Sequence, residues 1–190
     1  KHRDRQGQLS DSEIMTIVVL FHSSGYRTFK HFYLSHVQQH MSPLFPELVT
    51  YKRFIQLMQK VLVPLSAYLW CRCRGQSTGI SYVDSTPLKV CHNKRIPRHK
   101  TFKGMANRGK TSMGWFYGFK LHLVVNDKGD ILSFCLTSGN RDDRKPLAFL
   151  SQDLWGQLFG DKGYVGQKYI DLLAQQGVQL ITSLKRNMKP

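Results

Sequence analysis

The segment Ile80–Thr86 reads ISYVDST, an apolar run that ends at the carboxylate of Asp84. A second segment, Gln157–Tyr164, reads QLFGDKGY and places Asp161 at the end of its apolar part. Apolar runs of about four to eight residues bounded by turn-forming residues are typical of buried strands. The two contexts therefore predict two strands, each of which delivers one carboxylate at its end.

Strand and helix patterns alternate along the chain after Asp84. They predict a strand, a hairpin turn, a returning strand, a helix, the Asp161 strand, a helix and a last strand, at residues 116–125, 126–130, 131–137, 146–154, 157–161, 170–174 and 178–183. This order is that of a ribonuclease-H-like α/β fold, a mixed sheet with flanking helices. Because the first and fourth strands are neighbours in that fold, Asp84 and Asp161 are predicted to meet, although 161 − 84 = 77 positions separate them.

The first part of the chain has helical patterns instead. Ser10 and Glu13 have the spacing of a capping box, and Thr28 and Thr50 are each placed to begin a further helix. The third helix has Phe54, Leu57, Val61 and Leu62 on one face, and Pro64 is predicted to kink or interrupt it. We therefore predict a small all-helical N-terminal domain over residues 1–75, before an α/β domain over 76–190. A helix-turn-helix DNA-binding module and a purely structural helical cap both fit this pattern.

Composition indicates a polyanionic partner. The 190 residues include 28 Lys and Arg against 12 Asp and Glu, a formal net charge of +16, and 41% are hydrophobic. Such a charge suits DNA, RNA or an acidic membrane surface, while the hydrophobic fraction suffices for a core. The longest apolar run, Ile14–Phe21, is too short to span a membrane. Four cysteines without CxxC spacing and no signal-type segment predict a cytoplasmic protein with reduced thiols.

Two rigid carboxylates in a basic protein suggest metal-dependent chemistry on a nucleic acid. Phosphodiester cleavage or transfer is catalysed by divalent ions about 3.5–4 Å apart, which activate the nucleophile and stabilise the leaving oxygen. Mg²⁺ prefers carboxylate oxygens and keeps several waters. Asp84 is our candidate for the bridging ligand and Asp161 for the ligand of a second ion. A cap or turn at a strand end is the structural alternative for each.

Four short motifs occur in order along the chain: Tyr82–Thr86, Gly118–His122, Thr137–Asp143 and Gly160–Tyr164. Together they resemble the signatures of bacterial insertion-sequence transposases with a DDE catalytic domain, and most closely the insertion sequence nine-eight-two group. The resemblance implies that Asp84 and Asp161 are the first two catalytic residues of a DDE triad. It also implies Mg²⁺, or Mn²⁺ as a substitute, for cleavage of element ends and strand transfer to target DNA. A bacterial, nucleoid-associated homo-oligomer acting on terminal repeats and target DNA is expected.

The third residue of the triad departs from the family pattern. A Glu is expected on a helix after the last strand, but the only glutamates are Glu13 and Glu47 in the helical part. Asp171 is the nearest acidic residue, and it lies on a different element. We therefore expect a C-terminally truncated chain that is weakly active or inactive.

Several further residues are candidates for accessory roles. Asn140 and Asp143 follow the hairpin, where the resemblance places polar residues near the metals, although a capped turn is equally compatible. His122 could face the site beside Lys120, but we predict that it lies on the solvated face of a strand whose other face carries Phe119, Leu121, Leu123 and Val125. Tyr164 and Lys162 could contact phosphate.

Residues 92–110 form a basic stretch without one acid, predicted to be a mobile loop that binds the DNA backbone. A merely solvated loop is the alternative. With Lys162, the candidate DNA-binding residues are Lys94, Arg95, Arg98, Lys100, Lys103, Arg108 and Lys110.

The sequence leaves two other functions open. One is a ribonuclease-H-fold nuclease without strand transfer, and the other is a non-catalytic basic DNA-binding protein whose aspartates are structural. A divalent-metal requirement separates the enzymes from the binding protein, and joined DNA products separate the transposase from the nuclease.

Overall fold

The computed structural model describes residues 9–183, and the chain divides into two compact units between Cys73 and Arg74. The first unit is helical, as predicted. Its helices are α1 (Asp11–Ser23), α2 (Phe29–Phe32), a π-helical turn (Tyr33–Val37), α3 (Gln38–His40), α4 (Tyr51–Met58) and α5 (Leu62–Arg72). The capping box at α1 is confirmed, because the Ser10 side chain accepts from the Glu13 amide while the Glu13 carboxylate accepts from the Ser10 amide.

Aromatic side chains fill the core of the helical unit. Phe32, Tyr33 and Phe54 are buried, and the rings of Tyr33 and Phe54 lie 4.7 Å apart. The Tyr33 hydroxyl donates to the carbonyl of Val49 at 2.7 Å, so this buried phenol has a partner. The core therefore joins α2 and its π-helical turn to α4 and to the segment before it.

The third predicted helix is interrupted just before Pro64, as predicted. The break at residues 59–61 contains the carbonyl of Lys60, with which the Pro64 ring would clash in a continuous helix, and Pro64 itself lies in the first turn of α5. Of the residues predicted on one face, Phe54, Leu57 and Val61 are buried, whereas Leu62 is 66% exposed. Within residues 9–183 no single helix is long and apolar enough to cross a membrane. Only α4 and α5 taken together, with a 54° bend between them, meet that length and composition.

The second unit is built on a mixed sheet, which confirms the predicted fold class. In the part of the chain that the structure describes, its strands are β1 (Ile80–Cys91), β2 (Asn107–Thr111), β3 (Gly114–Asn126), β4 (Ile131–Ser138), β5 (Gly156–Gly160) and β6 (Val178–Thr182). The strand order is β2-β3-β1-β5-β6, and β4 also pairs with β3. The pairs β1–β3, β2–β3 and β3–β4 are antiparallel, whereas β1–β5 and β5–β6 are parallel. The first and fourth predicted strands are therefore neighbours.

Helices α6 (Leu147–Leu150) and α7 (Gln167–Gln175) accompany the sheet. Leu147 and Leu150 of α6 and Leu173 of α7 are buried in one core cluster with Val83 of β1 and Leu158 of β5. The helices cover the sheet where the parallel strands are most apolar, as expected for a mixed α/β fold.

The prediction for the faces of β3 was wrong. His122 is fully buried, and Lys120, Val124 and Asn126 share its face, whereas the alternate positions 119, 121, 123 and 125 are only partly buried. The alternating apolar residues of β3 lie on its less buried side, because the polar residues on the other side find partners inside the unit. The strand is covered on both faces, so alternation alone could not identify the inner one.

The basic stretch at residues 92–110 is also more regular than predicted. Asn93–Arg98 forms a 3₁₀ helix and Asn107–Thr111 forms β2, which pairs with β3. Gly109 allows this pairing, because a Cβ there would overlap the carbonyl oxygen of Gly139 and the ring of Phe116. The stretch therefore begins with a helical turn and ends in a strand, so it is not one continuous loop.

Candidate active site

The register of β1 and β5 brings the two aspartates to the same end of the sheet. Tyr82 pairs with Phe159 and Val83 with Gly160, so Asp84 and Asp161 come next along the parallel pair. The rings of Tyr82 and Phe159 stack 5.5 Å apart, so these two side chains lie on the same side of the sheet. Because side chains alternate along strands, Asp84 lies on the same side as Tyr82.

Local backbone contacts orient both carboxylates. Asp84 accepts from the amide of Ser85 at 2.7 Å. Asp161 precedes the 3₁₀ turn Lys162–Tyr164 and accepts from the amide of Gly163 at 2.7 Å. Asp161 thus does cap a turn, as its structural alternative proposed. Both residues are nevertheless exposed, so their carboxylates are accessible to a ligand.

A cleft of about 380 Å³ lies beside the two aspartates. Its lining includes Asp84, Lys110, Lys120, Asp143, Asp161 and Tyr164, together with the turn at residues 111–113. The structure therefore brings together both candidate catalytic residues, the accessory candidate Asp143 and one of the basic candidates. Asn140 lies outside this lining, where its side-chain oxygen accepts from the Ser138 hydroxyl at 2.8 Å.

An ion pair lies in the cleft beside the aspartates. The Lys120 ammonium donates to Asp143 at 2.8 Å and to the carbonyl of Arg141 at 3.0 Å. The Lys120 side chain is only 11% exposed, so its charge is carried close to the cleft and is largely shielded from solvent. The pair holds the loop after β4 against β3.

His122 lies behind this ion pair. Its Nε2 is 2.8 Å from the Thr137 hydroxyl, while its Nδ1 is 4.0 Å from Asp143 and has no hydrogen-bond partner within residues 9–183. Burial lowers the pKa of His122 below 6.5, the Asp143 charge opposes this shift, and the Lys120 charge adds to it. We therefore expect a neutral imidazole at pH 7.

Arg144 fastens the same loop to the segment after Asp161. It donates two hydrogen bonds to the carboxylate of Asp142 and a third to the carbonyl of Val165, at 3.3 Å. Its guanidinium also lies 5.6 Å from the centre of the Tyr169 ring. Hydrogen bonds from Arg144 lower the pKa of Asp142 to about 2. This paired arginine therefore braces the loop that carries Asp143.

Tyr164 has its ring in the core and is one of the residues that line the cleft. The residue is 2% exposed. Burial raises its pKa, and so do the charges of Asp143, Asp84 and Asp161. A side-chain hydrogen bond with Ser85 opposes this rise. The charges of all three cleft carboxylates therefore act on the Tyr164 hydroxyl.

A family model described as Transposase DDE domain matches residues 74–190. The chain belongs to this family. Domains of the family generally use divalent metal ions. No curated protein matches the chain.

Solved structures give a more distant likeness. The piggyBac transposase synaptic complex with hairpin DNA aligns with a TM-score of 0.53 at 11% identity, over 98% of this chain and 46% of that one. A simian T-cell lymphotropic virus intasome in complex with PP2A regulatory subunit B56 gamma gives a TM-score of 0.34 at 15% identity, over 68% and 44%. The pre-cleavage Mos1 transpososome gives 0.27 at 9%, over 95% and 60%. The first likeness supports the fold, and the chain spans about half of that transposase.

The cleft of this DDE domain suits a hydrated hard cation. Within residues 9–183 no three His, Cys, Asp or Glu side chains stand close enough to hold a metal ion directly. Asp84 and Asp161 offer exposed oxygen ligands on one cleft, and Mg²⁺ is commonly held by one or two carboxylates while it retains several waters. The donor set therefore fits the group that the family generally uses.

The candidate DNA-binding residues of this DDE domain are all exposed: Lys94, Arg95, Arg98, Lys100, Lys103, Arg108, Lys110 and Lys162. None of them forms an ion pair with an acidic side chain in the described part of the chain. Lys110 is at the cleft, and its ammonium lies 5.8 Å from the centre of the Trp115 ring. Their charges are thus available to a polyanion.

Sequence reasoning favoured the solvated face for His122, which is wrong, and considered a place at the site beside Lys120 only as the alternative. The signal was present, because Lys120 and His122 are two positions apart and must share a face of β3. Two polar residues on one face of an otherwise apolar strand indicate a buried polar network. The partner, Asp143, could be identified only once β3 and the following loop had been placed.

Proposed function

We propose that this chain is a DNA transposase that cleaves DNA at the ends of its element and joins the freed 3′-hydroxyl to target DNA. Asp84 and Asp161 are the proposed catalytic and metal-binding residues, with Mg²⁺ as the ion and Mn²⁺ as a substitute. The observation that supports this proposal is the convergence of both carboxylates on one cleft from adjacent parallel strands. Membership of the DDE family gives the reaction type.

Each of the cleft residues has a separate role in phosphoryl transfer. A bound divalent ion supplies a Lewis acid and an activated oxygen nucleophile. Asp84 and Asp161 hold and orient that ion, and the Asp161 carboxylate is itself oriented by the Gly163 amide. Lys110 supplies positive charge for the phosphate backbone at the cleft. Lys120 keeps Asp143 neutralised, so that three unpaired carboxylates do not repel the DNA.

The expected turnover is low. Asp143 is paired with Lys120, so only two of the three cleft aspartates are free to bind an ion in the described residues. Fewer carboxylate ligands give a weaker hold on a divalent cation. We therefore propose that the chain binds metal weakly and is slow or inactive in transposition.

DNA is the proposed partner of the basic surface. The piggyBac structure contains hairpin DNA, and eight exposed basic residues of this chain are free of acidic partners in the described part. We further propose that the helical unit is a DNA-binding domain and the second unit the catalytic domain. Assembly as a homo-oligomer on paired DNA ends, membership of the insertion sequence nine-eight-two group, and a bacterial, nucleoid-associated location are part of the same proposal.

Metal binding tests the catalytic residues. Isothermal titration with Mn²⁺ is performed on the wild type, on Asp84→Asn and Asp161→Asn, and on Asp171→Asn as a matched control on α7. We expect both cleft variants to lose Mn²⁺ binding and the control to retain it. Unchanged Mn²⁺ binding by Asp84→Asn would show that Asp84 does not bind the ion and would contradict the catalytic proposal.

The products of the reaction distinguish the candidate enzymes. Labelled DNA carrying the element ends is incubated with Mg²⁺ or Mn²⁺ and a target plasmid. Joined products that Asp84→Asn abolishes support a transposase, whereas nicked products alone indicate a nuclease without strand transfer. Metal-independent DNA binding with neither product indicates a binding protein.

Salt dependence tests the DNA surface. Arg98→Glu combined with Lys100→Glu should weaken DNA binding and reduce the slope of log affinity against log salt by about 0.9 for each DNA phosphate that the variant no longer neutralises. Lys128→Glu, an exposed lysine in the β3–β4 turn, is the matched control and should have a smaller effect. Equal effects of the two changes would show that residues 92–110 do not form the DNA surface.

A further inference from the structure

The hairpin of β2 and β3 presents an exposed aromatic ring beside the cleft. We propose that this ring, Trp115, stacks on one unpaired base of the DNA strand whose phosphate backbone enters the cleft. This inference rests on the proposed function, because it takes the polyanion in the cleft to be DNA. Trp115 therefore binds substrate and favours DNA that is single-stranded beside the cleft.

Trp115 lies on the solvent-facing side of the hairpin. The residue is 62% exposed, although tryptophan is highly buried on average. Trp115 pairs with Lys110 and Tyr117 with Arg108, so these four side chains share one face. Tyr117 is only 9% exposed and packs against the ring of His99, 5.9 Å away. The exposed aromatic surface of this face therefore ends at Trp115, which offers room for a single base.

A pocket of about 390 Å³ opens beside the Trp115 ring. Asn93, Arg108 and Trp115 line it. The Asn93 side chain donates to the Trp115 carbonyl at 2.9 Å, which ties the 3₁₀ helix Asn93–Arg98 to the hairpin. The fold therefore forms this pocket without a ligand. An indole ring, a guanidinium and an amide are groups that contact unpaired bases by stacking and by hydrogen bonding.

The charges around the pocket favour a nucleotide as its occupant. Arg108 and Lys110 flank the ring, and within residues 9–183 neither forms an ion pair with an acidic side chain. The Lys110 ammonium lies 5.8 Å from the centre of the Trp115 ring. An apolar partner would have to bury these cations without compensation, whereas the phosphates on either side of a stacked base would neutralise them.

The hairpin also connects the pocket to the cleft. Lys110 and Met113 line the cleft, and Lys110 pairs with Trp115 of the pocket. A DNA strand in the cleft is thus within reach of the ring. In a duplex both faces of a base are covered by its stacked neighbours, so a base must leave the stack before it can lie on Trp115.

Trp115→Ala tests the inference with two DNA ligands, a duplex that carries a single-stranded tail and the same duplex with blunt ends. Both are measured without divalent metal, so that no strand is cut. Stacking of one base on an aromatic side chain is worth roughly 5- to 150-fold in affinity. We expect a loss of at least about 5-fold for the tailed duplex and no loss for the blunt duplex. Trp115→Phe, which keeps an aromatic ring, should retain most of the affinity.

Abasic residues give a second test that does not depend on the variant alone. One abasic residue is placed at each position of the tail in turn. At one position it should weaken binding by the wild type about as much as Trp115→Ala does, and it should weaken binding by Trp115→Ala no further. Independent, additive losses at every position would overturn the inference.

Trp155→Ala is the matched control. Trp155 is 57% exposed and belongs to the same unit, but it is not among the described residues that line the cleft or the pocket. Its loss should leave both affinities unchanged. The inference is wrong if Trp115→Ala binds the tailed duplex as tightly as the wild type, if it loses the same factor on both ligands, or if Trp155→Ala has the same effect.

The Asp84→Asn variant separates this failure from failure of the proposed function. Loss of Mn²⁺ binding in Asp84→Asn together with unchanged binding of the tailed duplex by Trp115→Ala overturns only the role of Trp115. Binding of neither DNA by the wild type overturns both.

Discussion

His122 gives the second unit a stability that depends on pH. Its imidazole is fully buried, with Nε2 at 2.8 Å from the Thr137 hydroxyl and Nδ1 without a hydrogen-bond partner. We consider the variant His122→Gln, in which the side-chain amide can keep the contact with Thr137 but cannot titrate. The comparison isolates the protonation of one buried group.

The sign and size of the effect follow from proton linkage. The pKa of His122 is lowered below 6.5 in the folded protein, chiefly by burial. Below that pH the unfolded chain takes up a proton that the folded chain does not, so stability is present above pH 6.5 and is lost as pH falls. One proton is worth about 1.4 kcal/mol per pH unit. Between about pH 7.5 and 5.5 the wild type should lose up to about 1.4 kcal/mol more than His122→Gln.

Urea unfolding at several pH values measures this difference, and the NMR titration of His122 gives its pKa directly. The variant Lys120→Met provides a second test, because the Lys120 charge contributes to the lowered pKa. Its removal should raise the pKa of His122. Parallel pH curves for the wild type and His122→Gln, or a titration midpoint at or above 6.5, would refute the reasoning.

Three further predictions concern the loop and the core that support the cleft. Arg144→Lys removes the paired hydrogen bonds to Asp142, so the pKa of Asp142 should rise from about 2 towards 3.8, as carbon-detected NMR can measure. Leu158→Ala, at a fully buried position, should lower the free energy of unfolding by about 2–5 kcal/mol, and Leu136→Ala, at a position 56% exposed, by less than about 0.5 kcal/mol. In Gly109→Ala the added Cβ would overlap the Gly139 carbonyl oxygen, so amide hydrogen exchange in β2 should become faster. Unchanged exchange would show that the backbone shifts to make room for the Cβ.

Local patterns in the sequence predicted the elements well. The capping box at Ser10, the hairpin turn at residues 126–130 and the two strands that precede Asp84 and Asp161 depend on residues within a few positions of one another. Such signals can be recognised in the sequence because the backbone hydrogen bonds and side-chain spacing that produce them are local. The order of the elements then predicted that β1 and β5 are neighbours.

Position within an element was predicted less well. Leu62 was expected on one helix face with Phe54, Leu57 and Val61, but it is 66% exposed, because the helix breaks at residues 59–61 and α5 runs at 54° to α4. His122 was expected in solvent because alternation on β3 marked the wrong face as buried. In both cases the residue type allows two placements, and contacts from distant parts of the chain selected one.

The sequence alone determined the order of the elements other than β2 and the 3₁₀ helix before it, the basic surface and the two strand-end carboxylates, because each of these can be read from neighbouring residues. Tertiary structure alone decided that Lys120 neutralises Asp143, that His122 is buried behind them, and that the buried Tyr164 lines the same cleft as the three aspartates. These contacts join β1, β3, the loop after β4 and the segment after β5. Their distances and burial arise from strand pairing and packing, which no local pattern encodes.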